Sequence, residues 1–337
     1  MRRQHPARVF ITAQLDGESS LPVEVKPSGQ LQSADSETFQ STTLGNISRL
    51  TASSDLLNQD WDAWHEEQAR RKRRINEACM KITDPKKPSR YKYRNLVMRR
   101  KTLDHLLVDD IHRAIYCYIP KAGCSNWKRL WMILRGDSNV TNIFDIKSSR
   151  AHAYGPKMRL ARNGVKTKDV LRKLLNYTKF IVVREPMERL ISAYLNKIQY
   201  PNGQPIFQRR VLEYAKKRRQ SANLTNLEWP EFLGYILDPL SPKNEHWLPF
   251  DTLCHPCVID YDVIIKFESM QEDAERLLRL IKGPQYIHFP AQAKKVDSSV
   301  TKSYIENVSP THIQSFCKTY SKDFEVFEYD QSKYCER

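Results

Sequence analysis

Two short segments bring together residues able to hold phosphate. The first reads Pro120-Lys121-Ala122-Gly123-Cys124-Ser125-Asn126-Trp127-Lys128-Arg129, the second Arg184-Glu185-Pro186-Met187-Glu188-Arg189-Leu190-Ile191-Ser192-Ala193-Tyr194. In the first, Gly123 permits close backbone approach, Ser125 offers a hydroxyl, and Lys121 and Lys128 supply positive charge. If the chain turns here from strand to helix, free backbone N–H groups face the anion, which the helix dipole alone favours by about 0.3–1 kcal/mol. The second segment combines an arginine fork with a hydroxyl two helical turns later, which suits a terminal phosphate monoester. A Walker A loop, Gly-x-x-x-x-Gly-Lys-Ser/Thr, would need another glycine, so kinase or ATPase chemistry with bound magnesium loses support. The bland alternatives are a basic strand-turn-helix without a ligand, and a charge network in which Glu185 pairs with Arg189 at i,i+4 spacing.

The elements around the segments point to an α/β fold. A strand is expected over 114–119 and a helix over 126–134, where Trp127, Leu130, Trp131 and Leu134 recur at helical spacing and bury one face. Another strand, 179–183, leads into a helix over 186–197, with Pro186 suited to its first turn. A third strand is expected over 258–267, followed by an amphipathic helix over 270–281 that opens on Glu272 and Asp273. Each segment then stands at the carboxyl edge of a strand, where open α/β sheets place their ligand crevices.

Composition narrows the partners. The 337-residue chain carries 55 basic and 39 acidic residues, a formal charge of +16, with basic runs at Arg70–Arg74, Arg99–Lys101 and Lys216–Arg219. Such a field favours nucleic acid, anionic lipid or an acidic polysaccharide, unless the runs are merely solvated helix faces. A nucleic-acid binder would interleave aromatic residues with its basic runs on a known module, and that pattern is missing. Residues 1–55 are rich in Ser, Thr, Gln, Gly and Pro and read as a poorly ordered stem; the charged, helix-prone stretch 60–77 ends it. The expected division is a stem over 1–78 and a catalytic domain over 79–337.

Asn-x-Ser/Thr sequons at Asn46, Asn139, Asn176, Asn223 and Asn307 tilt the compartment towards the secretory lumen. No apolar run approaches the roughly 18 residues of a membrane helix, and 9–13 is a feeble signal-peptide core. Among the seven cysteines, Cys254 and Cys257 invite a zinc reading, but no second close pair completes it. A disulfide involving that pair is expected instead, a Cys254–Cys257 link being one of the pairings open. Cys124 reads as a small packing residue.

Together the two segments resemble the 5′-phosphosulfate loop and the 3′-phosphate motif of Golgi carbohydrate sulfotransferases. The similar group contains chondroitin 4-O-, dermatan 4-O-, N-acetylgalactosamine 4-O- and HNK-1 sulfotransferases. The likeness runs from about Cys79 to the C-terminus and includes His246-Trp247, Leu253-Cys254-His255-Pro256-Cys257 and Lys266-Phe267-Glu268. It implies a P-loop-like fold with a central, mostly parallel sheet flanked by helices, and transfer of a sulfuryl group from 3′-phosphoadenylyl sulfate to a glycan hydroxyl. It also implies residence in the Golgi lumen as a type II membrane protein, through an N-terminal anchor that this chain lacks.

By the same resemblance Lys121 contacts the bridging region, Ser125, Asn126 and the backbone of Gly123 to Trp127 hold the 5′-phosphate, with Ala122, Cys124 and Lys128 also in the donor site, and Arg184 and Ser192 grip the 3′-phosphate. No metal is required if lysine and backbone dipoles stabilise the departing charge. The acceptor hydroxyl needs a base within hydrogen-bond reach. His152 ranks first, lying between the segments roughly where heparan and uronyl 2-O-sulfotransferases carry theirs. His246 is the rival, with Glu245 as the group orienting its ring. The acceptor is expected to be an acidic or N-acetylgalactosamine-containing glycan, with Lys216–Arg219 as its track; the alternative is a polyanion- or nucleic-acid-binding protein without catalysis.

Overall fold

The computed structural model describes residues 60–81, 89–199, 204–219, 227–291, 298–306 and 308–336. The expected stem over 1–55, the sequons at Asn46, Asn223 and Asn307, and the end of the Lys216–Arg219 run lie wholly or partly outside what is described. Residues 57–337 form one compact unit.

The centre is a four-stranded sheet in the order β1 (Leu106–Asp109), β2 (Ala114–Cys117), β3 (Thr178–Val183), β4 (Val263–Lys266). The β1–β2 pair is an antiparallel hairpin; β2–β3 and β3–β4 are parallel. Nearly every strand residue is buried, as expected of a sheet covered on both faces, so the strands read as short apolar runs without polar alternation. Cys117, the last residue of β2, stands opposite Ile181 of β3, so β3 ends only two residues further on. That register brings the two anion-binding segments, about sixty residues apart in sequence, to one edge of the sheet.

The helix Cys124–Leu134 packs through Trp127 and Trp131 on Tyr116 and Phe180, whose rings stack with centroids 4.8 Å apart. It starts two residues earlier than expected, because Gly123 takes the left-handed conformation at its N-cap. The helix Pro186–Tyr194 begins where expected, but its C-terminal end widens into a π-helical turn, Leu195–Gln199. A second apolar cluster, built on Met187, Leu190, Phe232, Trp247 and Phe316, lies among the helices Pro186–Tyr194, Trp229–Leu237 and Pro310–Phe327.

Two expectations change. The strand expected over 258–267 is only β4: His255 adopts a left-handed conformation and accepts the N–H groups of Val258 and Ile259, making a turn of what looked like its first half. The charged helix, here 60–81, does not merely end a stem. It packs against the sheet, with Trp64, Ile75, Ala78 and Cys79 buried at roughly helical intervals together with Gln68. β4 is an edge strand, and this helix covers its open edge: Gln68 Oε1 accepts the Ile264 N–H at 2.8 Å and Arg71 donates to the Ile264 carbonyl at 2.6 Å. Asp273, 3% exposed, ties the helix down by accepting from Trp64 and Gln68 and pairing with Arg71 at 2.9 Å.

Candidate active site

At the carboxyl edge of the sheet is a cavity of about 380 Å³, lined by both segments and by loops from elsewhere. The first segment forms its floor. After β2 the chain passes through Lys121 (φ 72°) and Gly123 (φ 79°), and Asn126 and Trp127 then close the first helical turn by donating to the Gly123 carbonyl. The N–H groups of Gly123, Cys124 and Ser125 precede those bonds and are the ones a helix start presents to an anion. A side chain at Gly123 would be strained and would meet Met270 Cε at 2.9 Å. Burial, with smaller effects from Lys197 and Arg184, lowers the Lys121 ammonium to about 8. Lys128 is 4% exposed, lies 3.6 Å over the Tyr118 ring, and is lowered by burial.

The second segment forms a wall. Arg184 is buried and lies over the Phe267 ring at 4.3 Å. It contacts Glu188 at 3.3 and 3.4 Å and the Lys121 carbonyl at 3.4 Å. All three distances are at the long end for hydrogen bonds, so the guanidinium keeps donor capacity for a stronger acceptor. Ser192 lines the cavity with it.

Arg189 does not pair with Glu185. Glu185 caps its own helix by accepting from the Met187 and Glu188 N–H groups at 3.2 and 2.7 Å, and burial pushes its carboxyl up to about 7. Arg189, fully buried, donates instead to the carbonyls of Pro120, Leu248 and Glu245 at 3.0, 2.9 and 3.0 Å. One guanidinium thereby fastens the first segment and the loop carrying His246 to the second segment.

Both histidines reach the cavity. His152, from the helix Ser148–Met158, places Nε2 2.9 Å from Ser125 Oγ and Nδ1 3.4 Å from Lys128 Nζ. Burial first, then the Lys128 charge, lowers it to about 4. The ring of His246 is oriented by Asn244, not by Glu245: Asn244 Oδ1 lies 2.6 Å from His246 Nδ1 and also accepts the His246 backbone N–H. An amide oxygen at that place requires N–H on Nδ1, leaving Nε2 unprotonated. Burial, followed by Lys197 and Lys121, depresses His246 to about 2. The Glu245 carboxylate turns to Tyr118 OH at 3.2 Å and His105 Nε2 at 3.5 Å.

Of the residues expected in the site, Ala122 and Trp127 are buried with side chains away from the cavity, so only their backbone can serve it. Lys121, Gly123, Cys124, Ser125, Asn126, Lys128, Arg184 and Ser192 all line it. Sequence reasoning missed Tyr118, Asn196, Lys197 and Phe289. Lys197 carried the one available signal, a lysine one turn beyond Ser192, but the π turn that directs it is invisible in the residue pattern.

The cysteine pairs are Cys79–Cys257, Cys117–Cys254 and Cys317–Cys335, while Cys124 is free and buried. Cys254 and Cys257 therefore bond to distant partners rather than to each other, and no group of three or more candidate metal ligands occurs among the described residues.

A helix N-terminus beside a strand end bearing an arginine with long contacts, in one cavity with two histidines, is the arrangement an α/β sheet offers to an anionic ligand at its carboxyl edge. A family model described as Sulfotransferase family matches residues 104–330, and the chain belongs to that family. It is similar to carbohydrate sulfotransferase 11 of Rattus norvegicus, 35% identical over 250 residues that cover 71% of this chain and 70% of the relative. Carbohydrate sulfotransferase 8 of Mus musculus is 35% identical over 292 residues, 82% of this chain and 66% of the relative. Carbohydrate sulfotransferase 14 of Danio rerio is 36% identical over 243 residues, 69% and 64% respectively. No solved structure matches the chain. The protein is thus a sulfotransferase, of the class that uses 3′-phosphoadenylyl sulfate.

Proposed function

We propose that the protein sulfates a hydroxyl of a glycan, of chondroitin/dermatan type or containing N-acetylgalactosamine. The observation that carries this reading is the pair of cationic sites on adjacent strand ends: a nucleotide phosphorylated at both its 5′ and 3′ ends needs two. The residues fit the donor. Backbone N–H groups of Gly123 to Ser125, with Lys121 and Lys128, would hold the 5′ end; Arg184, whose present contacts are long, would exchange them for the 3′-phosphate beside Ser192. Phe267 and Phe289 offer apolar surface to the base. The bound donor supplies the sulfuryl group and a phosphate that leaves with its charge.

The chain's own residues do the rest. Lys121, as an ammonium, stabilises negative charge at the bridging oxygen, and the preorganised N–H groups add to it without reorganisation. His152 is the proposed base because it touches Ser125 at the 5′ end; at neutral pH it is uncharged and free to accept a proton. Lys128, a donor only, faces Nδ1, so Nε2 can take the proton once Lys128 and Ser125 turn to phosphate and the neutral ring carries its own proton on Nδ1. A second reading is favoured by a specific observation: His246 already holds the tautomer of a base, with Nε2 unprotonated.

Three disulfides and exposed sequons at Asn139 and Asn176 support an oxidising, glycosylating compartment, in keeping with the Golgi lumen. Among the described residues no helix is long and apolar enough to cross a membrane. Incubation with radiolabelled donor and a panel of desulfated glycosaminoglycans tests the reading, with Lys121→Ala alongside. Label should enter at least one glycan and fall about 10²–10³-fold in the variant; transfer to none, or indifference to the substitution, rejects it. His152→Ala that binds adenosine 3′,5′-bisphosphate normally yet transfers at near wild-type rate would move the base to His246.

A further inference from the structure

Of the three lysines lining the cavity, Lys197 has no part in holding the sulfuryl donor as assigned above. It sits in the π turn Leu195–Gln199 and is 9% exposed. Such single-turn widenings concentrate at functional sites. Among the described residues its ammonium makes no hydrogen bond or ion pair; the Phe207 ring lies 5.9 Å away, and the Glu245 carboxylate bears on it without reaching ion-pair distance. A buried cation is costly unless paired, so an unpaired one at a cavity wall is poised for an anion that arrives from outside.

Its surroundings indicate which anion. The two ends of the nucleotide already have their cations. Lys197 lies instead towards Phe207, on the helix Pro205–Arg219, and towards His246, on which it exerts the largest effect of any neighbouring charge. Its charge also bears on His152 and Lys121. It therefore stands by the histidines, where the acceptor hydroxyl must lie, and exposed Arg209, Arg210 and Lys217 continue the positive charge along the adjoining helix.

We propose that Lys197 binds an acidic group on the acceptor, the carboxylate of a uronic acid next to the sugar being sulfated, and so makes the enzyme select acidic glycans. This rests on the glycan-sulfating reading above and names the acceptor class for that site. Pairing has a second consequence. Burial is the main cause of the depression of both histidines, but an anion on Lys197 offsets one of the charges that add to it, so whichever is the base becomes somewhat more basic when the correct acceptor binds.

The test compares desulfated chondroitin with its carboxyl-reduced form, in the wild type and in Lys197→Met and Lys197→Arg, with chondroitin already sulfated at other positions as a further arm. Wild type should prefer the native polymer by about 10–100-fold in kcat/KM, the range for losing a charged hydrogen-bond partner. That preference should vanish in Lys197→Met, persist in Lys197→Arg, and leave affinity for adenosine 3′,5′-bisphosphate within about twofold, which also shows that the variants fold. A preference that returns with sulfate esters on the carboxyl-reduced polymer would make the anion a sulfate, overturning the assignment to a carboxylate. Equal use of both polymers by the wild type, transfer confined to a neutral N-acetylgalactosamine-terminated glycan, a preference intact in Lys197→Met, or a loss of bisphosphate affinity instead would each overturn the proposal. Absence of transfer to every glycan would reject the parent reading, a different result.

Discussion

The two sides of the cavity are built in different ways. The side proposed to hold the nucleotide is assembled from strand ends and the turns that follow them: β2 delivers Lys121 and Gly123, β3 delivers Arg184, and the register between them sets their spacing. The side proposed to take the acceptor is assembled from loops and a widened helical turn: His246 in a loop, Lys197 in the π turn, His152 on a separate helix. Hydrogen bonds of the sheet hold the first. The second depends on a few side chains, chiefly Arg189 with its three carbonyls. The nucleotide side should therefore tolerate insult locally, whereas the acceptor side should fail through its anchors.

Removing the shared anchor should have the largest effect. Arg189→Met leaves three carbonyls without their donor and Asp323, also buried, without a nearby cation. We expect a loss of about 3–5 kcal/mol in stability by chemical denaturation. The transfer rate should fall further than bisphosphate affinity; equal losses would mean that Arg189 serves both sides alike.

Arg184→Ala should be more selective. Loss of one charge-assisted fork should raise the KM for the sulfuryl donor by about 10–100-fold and leave the acceptor KM nearly unchanged. A matching rise in the acceptor KM would erase the distinction between the sides.

The nucleotide side also sets an alkaline limit. Lys121 must be an ammonium to bind phosphate, and burial lowers it to about 8 in the free enzyme. The kcat/KM for the sulfuryl donor should therefore fall about tenfold per unit as pH rises beyond that value, with the limb displaced upward in kcat because the bound polyanion favours the charged lysine. Lys121→Arg, charged throughout, should lack the limb even if slower; a limb that survives belongs to another group.

The smallest effect should come from the covered sheet edge. Gln68→Ala orphans the Ile264 N–H and should cost about 1–3 kcal/mol in stability. Both Michaelis constants should stay unchanged, since the edge lies behind the site; a shift in either would show that the 60–81 helix tunes the cavity.

Much of the nucleotide side was legible in the sequence because its information is local. Gly123, Lys121 and Ser125 occur within five residues, and Arg184 stands just before the helix that carries Ser192, so spacing alone marks both segments as candidates for an anion site. The acceptor side was legible only as candidates. That Asn244 rather than Glu245 orients His246 depends on side-chain rotation within a loop, which residue types leave open. The 60–81 helix was misjudged for a related reason: its buried stripe contains Gln68 and Arg71, polar residues whose partners lie about two hundred positions away.

By itself the sequence determined the two strand-turn-helix units and marked them as a candidate anion site, because backbone conformation, helix starts and charge are properties of a few neighbouring residues. Only the tertiary structure decided the cysteine pairs, the carbonyl anchors of Arg189 and the isolation of Lys197. Each joins segments far apart in the chain, and what a buried charge does is set by whether packing brings it a partner.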